Sequence, residues 1–218
     1  MAPFGRIYQW PHFRSQRAKV VAAYNGLEVP YVEDWNIDTD KRDPEFLAKF
    51  PRGKVPALEC ADGFCLTESG AICNYIARSG PKAAQLLGSD IKTQAIIEHW
   101  VFFAEDELNA GVLPPAGMVH LKYLDYDEAV YDKCSASLEA SLKYVEFGLQ
   151  GKEYLVGDDV TMADIVVAGP IWQGAQFLID AEMRKNIPNV VAWLNRLAEF
   201  PEFEAFGKLN WIETRVKP

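Results

Sequence analysis

Residues Gly53–Ala71 read GKVPALECADGFCLTESGA, and the fold and the candidate ligand site can both be approached from this stretch. Asp62-Gly63 is a strong hairpin dipeptide, so Val55–Thr67 is expected to form two strands around a two-residue turn. That register would set Ala61 opposite Phe64 and Cys60 opposite Cys65, near enough to oxidise, although two reduced thiols are the plainer expectation. Pro56 removes one ladder donor at the start of the first strand. Were the Val55-Pro56 bond cis, the Val55 N–H and C=O would face outward, free to pair with a peptide ligand as a strand does; an ordinary strand-initiating proline is the alternative. Glu68-Ser69 closes the hairpin and opens a helix. Ser69 is a natural N-cap, and a helix N-terminus attracts a carboxylate. Glu68 offers an acceptor for an ammonium, so the pair matches the head of a free amino acid.

Outward from this stretch, strand and helix signals alternate. Phe4–Trp10 is strand-like and stops at Pro11. Arg14–Gly26 has helical spacing and ends on glycine. Val29–Trp35 reads as a second strand, Asp43-Pro44 opens a short helix through Phe50, and Ser69–Arg78 is a helix. The order β-α-β-α-β-β-α predicts a mixed sheet with helices packed on it. Residues 80–90 read as a linker, after which strand signals vanish. Helices are expected over 92–110 (face Ile96, Ile97, Trp100, Val101, Phe103, Ala104, Leu108), 126–149 (face Ala129, Val130, Lys133, Leu138, Leu142, Val145, Leu149), 161–178 and 188–200. The third is apolar nearly all round, as a helix at the centre of a bundle would be. Thr161 and Asp164 read as a capping box at its start, with Asp in place of Glu.

The chain has 218 residues and a formal net charge of −9, which argues against a nucleic-acid partner; Arg14–Lys19 is its densest basic segment. No apolar run is long enough to cross a bilayer, and MAPFGRIYQW lacks a signal-peptide core, so a cytoplasmic protein is expected. Four cysteines fit a reducing compartment. His12, His99 and His120 are far apart, no Cys/His cluster has metal-ligand spacing, and no phosphate-binding glycine loop is present. No metal is expected.

The sequence VPALE, DG, LTESGAI, followed by Tyr154-Leu155-Val156-Gly157 and Thr161-Met162-Ala163-Asp164, resembles the glutathione transferase superfamily over essentially the whole chain. PEFLAKFPRGKVPALECADGFCLTESGAI and HWVFFAEDELNAGVLPP look like the transferase-like domain of the gamma subunit of elongation factor 1. The chain stops at Pro218 without that subunit's Lys-rich linker and further domain, so a stand-alone form is expected. The resemblance implies a thioredoxin-like α/β domain over 1–80, an all-helical domain over 90–218, and a homodimer with each site near the subunit interface. It implies glutathione as co-substrate, held by Lys54, Val55, Pro56, Glu68 and Ser69, with Lys54 on the glycine carboxylate. Asp106 is a candidate for the γ-glutamyl amine of the neighbouring subunit, or a plain helix-surface acid.

In the superfamily a Tyr, Ser or Cys near the end of the first strand faces the glutathione sulfur, and a donor there stabilises the thiolate. No Cys lies between residues 1 and 59, which excludes the mixed-disulfide chemistry of cysteine-type members. Tyr8 falls two residues earlier than the tyrosine of the Tyr-type classes, and Phe13 stands roughly where the Ser-type classes put serine. Arg14, Ser15 and His12 are left as catalytic candidates; Ser15 could instead cap the helix. An acceptor wall is expected from Phe102, Phe103, Leu113, Pro114, Pro115, Met118, Trp172 and Gln176, suited to an apolar or aromatic electrophile. The implied activity is thiolate attack on such an electrophile, or glutathione-dependent isomerase or lyase chemistry. The alternative is a non-catalytic scaffold of the elongation-factor type. A glutathione-dependent peroxidase or reductase is a weaker third reading.

Overall fold

A computed structural model describes residues 3–217. Strands β1 (Gly5–Tyr8), β2 (Ala57–Cys60) and β3 (Cys65–Thr67) form an antiparallel sheet in that order. The hairpin turn is one residue longer than a bare Asp-Gly turn. Gly63 N–H donates to Cys60 C=O at 3.0 Å, Cys60 N–H donates to Phe64 C=O at 2.8 Å, and Gly63 has φ 87°. The loop is therefore Ala61-Asp62-Gly63, a tight turn closed by a left-handed glycine. This corrects the expected register: Glu59, not Cys60, lies opposite Cys65. A one-residue shift puts the two thiols on opposite faces. Cys60 is in the main core and Cys65 packs on a separate cluster, and both are free.

The strand expected over Val29–Trp35 is reduced to a single parallel bridge between Ile7 and Tyr31. Ile7 N–H donates to Pro30 C=O and Val32 N–H to Ile7 C=O, but Pro30 has no N–H to extend a ladder. Alternation along β1 splits the packing. Ile7 faces the main core, whereas Tyr8 joins Trp35, Phe46 and Phe50 on the outer face, beneath α2 (Pro44–Lys49).

Helices α1 (Phe13–Tyr24) and α3 (Ser69–Arg78) pack on the inner face. The segment read as a linker contains α4 (Ala83–Leu87), whose Leu86 is fully buried. Helix α5 (Ile91–Phe103) runs through a π-helical turn (Ala104–Leu108) into α6 (Asn109–Pro115) and a second π-turn (Ala116–His120). The helical rod thus passes beyond residue 110, where the helix was expected to end, and carries Pro114 and Pro115. Widened turns beside them accommodate the missing N–H groups. Ile96 is half exposed, so the buried face of α5 is narrower than expected: Ile97 and Trp100.

Helix α7 (Glu128–Gly148) buries Tyr131, Ser135, Leu138, Leu142 and Val145, while Val130 is exposed. The expected face was correct only from Leu138 onward. Helix α8 (Met162–Gly174) is buried on every side, with the Thr161/Asp164 capping box at its start. It touches α1 where Gly169 meets Phe13; a Cβ on Gly169 would lie 2.8 Å from the Phe13 ring. Helices α9 (Ala181–Lys185) and α10 (Pro188–Leu197) complete the bundle, and a 3-10 segment (Pro201–Phe206) returns to α1.

Candidate functional site

A groove of about 390 Å³ runs between the hairpin end of the first half and α5 with its π-turn. Lys54, Val55, Pro56, Glu68 and Ser69 all line it, with Arg14 from α1 and Phe102, Glu105 and Asp106 from the opposite wall. The Val55-Pro56 peptide bond is cis. Among the described residues neither the N–H nor the C=O of Val55 pairs with another main-chain group, so both are available to a ligand chain. Ser69 is the first residue of α3, where N–H groups lack helical partners. Glu68 before it holds φ 66°, a left-handed backbone that a non-glycine residue seldom adopts. Such outliers gather at functional sites. Its exposed carboxylate pairs with Arg52 at 2.8 Å.

Beneath the groove lies a charged cluster that sequence reading missed. Arg17 has a fully buried side chain; its Nη2 donates to Ser69 Oγ at 2.5 Å and it is ion-paired with Glu105. Glu105 also accepts from Asn109 Nδ2 at 2.8 Å, and Arg14 stands 4.0 Å away. Burial lowers the pKa of Arg14, and Glu105 raises it back in part. The sequence carried one usable signal: Arg17 stands beside Ala18 and one turn before Val21 on the core side of α1, where a charge requires a buried partner.

A second cavity, about 380 Å³, shares Arg52, Lys54 and Val55 with the groove and adds Lys41 and Arg42. These two cations were also missed, because the loop before α2 showed no pattern. Gly53 brings them in: at φ 58° it lets its backbone approach Lys41 C=O so closely that a Cβ would lie 2.9 Å from that oxygen. Four cations therefore border the Lys54 end of the groove, in a chain of net charge −9.

The three catalytic candidates separate. Arg14 lines the groove, and its Nε is buried without a partner. His12 is the N-cap of α1: its Nδ1 accepts from Arg14 N–H at 3.2 Å. Burial takes its pKa down to about 3, so the ring is neutral at pH 7 and provides no positive charge for a thiolate. Ser15 neither caps the helix nor lines the groove; it is buried in the first turn at 1 % exposure. Tyr8 is turned to the outer face, donating to Glu59 at 2.7 Å.

The acceptor candidates are likewise dispersed. Phe102 lines the groove and is largely exposed. Phe103 packs edge-on against Trp100 and beside Tyr144, while Leu113 and Met118 rest on the core. Trp172 is buried against Phe206 and lines a separate cavity with His12, His120 and Gln176. That cavity, about 280 Å³, lies between α1, α8 and the 3-10 segment. Burial raises the pKa of every cysteine, that of Cys73 to about 11. Burial thus disfavours ionisation of the chain's own thiols, and none of the four lines the groove.

The family model described as glutathione S-transferase, N-terminal domain, matches residues 4–78, and the corresponding C-terminal domain model matches residues 94–201. The glutathione S-transferase-like protein LUC7 of Fusarium sp is 41 % identical over 217 residues, covering 99 % of this chain and 98 % of the relative. Elongation factor 1-gamma of Mus musculus is 31 % identical over 219 residues, covering 96 % of this chain and 48 % of that longer protein. A solved structure of glutathione S-transferase-I bound with the ligand lactoylglutathione superposes with a TM-score of 0.83 at 25 % identity, covering 95 % of this chain and all of the other.

Proposed function

The chain belongs to the glutathione S-transferase family, and on that footing we propose that it binds glutathione in the groove and directs the thiolate at an electrophile. The γ-glutamyl carboxylate meets Ser69 and the N-terminus of α3, and its amine meets Glu68 with Asp106. The cysteinyl main chain pairs with Val55. The glycine carboxylate lies among Lys54, Lys41 and Arg42. Arg14 holds the sulfur as thiolate by its charge. The thiolate attacks an electrophilic carbon; a C–S bond forms and the leaving group departs with its electron pair. In an isomerase or lyase variant, the sulfur adds and is later expelled. The observation that carries this proposal is the unpaired main chain of Val55 facing the same groove as Ser69 and Arg14.

Turnover of a generic aryl halide with glutathione tests the catalytic part. Arg14→Ala is expected to lower kcat by roughly ten- to a hundredfold, the scale of one charge-assisted hydrogen bond. Ser15→Ala is expected to leave the glutathione KM unchanged. Equal rates for wild type and Arg14→Ala would remove Arg14 from the mechanism.

One observation favours a second reading, a scaffold of the elongation-factor type. Among the described residues, no Tyr, Ser or Cys side chain from the start of α1 lines the groove. Glutathione binding without turnover across a broad electrophile panel would select it. Under either reading we place the protein in the cytoplasm, where its four free cysteines would stay reduced, and as a homodimer. Exposed Phe64, Ile91, Ile96 and Phe102 support the dimer. Phe102 also lines an apolar cavity of about 490 Å³ between α3 and α5.

A further inference from the structure

The cavity of about 280 Å³ between α1, α8 and the 3-10 segment shares no lining residue with the groove. Two neighbours on α8, Trp172 and Gln173, line it and are 3 % and 7 % exposed. Among the described residues, Trp172 Nε1 and Gln173 Oε1 are buried without a hydrogen-bond partner. Leaving such groups unpaired costs stability that phenylalanine and methionine, of similar shape, would not cost. The indole N–H lacks an acceptor, and the amide oxygen lacks a donor.

His12, which also lines the cavity, adds a second donor. Its Nδ1 accepts from Arg14 N–H, and burial, helped by the charges of Arg14 and Arg17, takes its pKa down to about 3. The neutral ring therefore carries its hydrogen on Nε2. Lys208 supplies a positive charge, and among the described residues no carboxylate lines this cavity, in a chain of net charge −9. Two N–H donors beside an ammonium suit a group that only accepts, a carboxylate. The Gln173 oxygen suits a hydroxyl, and Phe13 and Phe206 offer an aromatic wall to the body between the two groups.

We propose that this cavity is a second small-molecule site, separate from the glutathione groove, for a small hydroxylated carboxylate. The carboxylate accepts from Trp172 Nε1–H with His12 and Lys208 around it, and the hydroxyl donates to Gln173 Oε1.

The test is calorimetric titration of the whole chain, without glutathione, using three probes. These are 4-hydroxybenzoate, benzoate, which lacks the hydroxyl, and 4-hydroxybenzyl alcohol, which lacks the carboxylate. Wild type is expected to bind 4-hydroxybenzoate saturably. Benzoate should bind roughly three- to tenfold more weakly, the scale of one neutral hydrogen bond, and the alcohol at least about tenfold more weakly. Gln173→Met should erase the preference for 4-hydroxybenzoate over benzoate and leave benzoate binding unchanged. Trp172→Phe should weaken both acids by about tenfold and keep that preference. Each substitution removes a buried polar atom that has no partner, so the thermal midpoint should hold or rise while binding falls. A merely structural role for these atoms would lower it. Lys208 is exposed, so Lys208→Ala keeps the carboxylate testable should Trp172→Phe not fold; it should weaken both acids several-fold and spare the alcohol. Wild type that gives no heat with any probe at millimolar concentration overturns the second site. So do folded variants that bind all three probes as wild type does. Glutathione binding is measured separately, so either proposal can fail while the other stands.

Discussion

Glu59 accepts hydrogen bonds from Lys49, Tyr8 and Arg6 on the outer face of the sheet. Burial alone would raise its pKa, but these three partners outweigh it and hold the carboxyl at about 2. A folded-state value below the unfolded one, about 4.3, adds stability that is fully present above the unfolded value. That stability is lost as pH falls toward 2. Glu59→Gln should therefore cost roughly 1–2 kcal/mol at pH 7 and flatten the fall of the thermal midpoint between about pH 4.5 and 2. A variant whose pH–stability curve parallels wild type would contradict the assignment. This network also explains why Tyr8 could not be placed from sequence. Its position in the chain brought it near the expected tyrosine, yet strand alternation turned it away from the groove. The groove residues Lys54, Val55, Pro56, Glu68 and Ser69 were legible because each stands next to a turn or a helix start, where local chemistry dictates backbone geometry. Arg17, Lys41 and Arg42 were not, because their roles depend on segments distant in sequence.

At the scale of elements, the capping box shows what local sequence can specify. The Asp164 carboxylate accepts from Thr161 N–H and Oγ1–H three residues away, a pairing visible in T-x-x-D. It also accepts from Leu155 N–H and from Trp193 Nε1–H on α10, which no local pattern announces. Asp164→Ala would leave buried donors on three segments unpaired, so a loss of about 3–4 kcal/mol in chemical denaturation is expected. Thr161→Ala should cost nearer 1 kcal/mol. Equal effects would show that the long-range bonds to Leu155 and Trp193 contribute little. The π-turns, the shortened Val29–Trp35 segment and the extra hairpin residue were missed for a common reason. Helical and strand periodicity report which side of an element is apolar; they are nearly blind to a single inserted or unpaired residue. That one residue in the hairpin moved Cys65 to the face opposite Cys60.

Across the whole molecule, the two halves were legible from the switch in periodicity after Arg78, and the order of strands and helices from the turn signals, apart from the Val29–Trp35 strand, which is reduced to one bridge, and α4, which lies in the expected linker. What the sequence could not convey is how the halves meet. Arg17 from α1, Ser69 from α3 and Glu105 from the π-turn after α5 join at one point, so the groove and the contact between the halves share a foundation. Three exposed apolar side chains lie on α5: Ile91 at 82 %, Phe102 at 64 % and Ile96 at 50 % exposure. If a second copy covers them, Ile96→Glu should halve the mass measured by light scattering at micromolar concentration. Wild type that is already monomeric there would rule out the dimer.

Calorimetric titration with glutathione tests the central claim most directly. Wild type is expected to give saturable heat with one site per chain. Ser69→Ala should weaken binding at least tenfold while the thermal midpoint stays within a few degrees. No heat from wild type at millimolar glutathione, or equal affinity in Ser69→Ala, would contradict it.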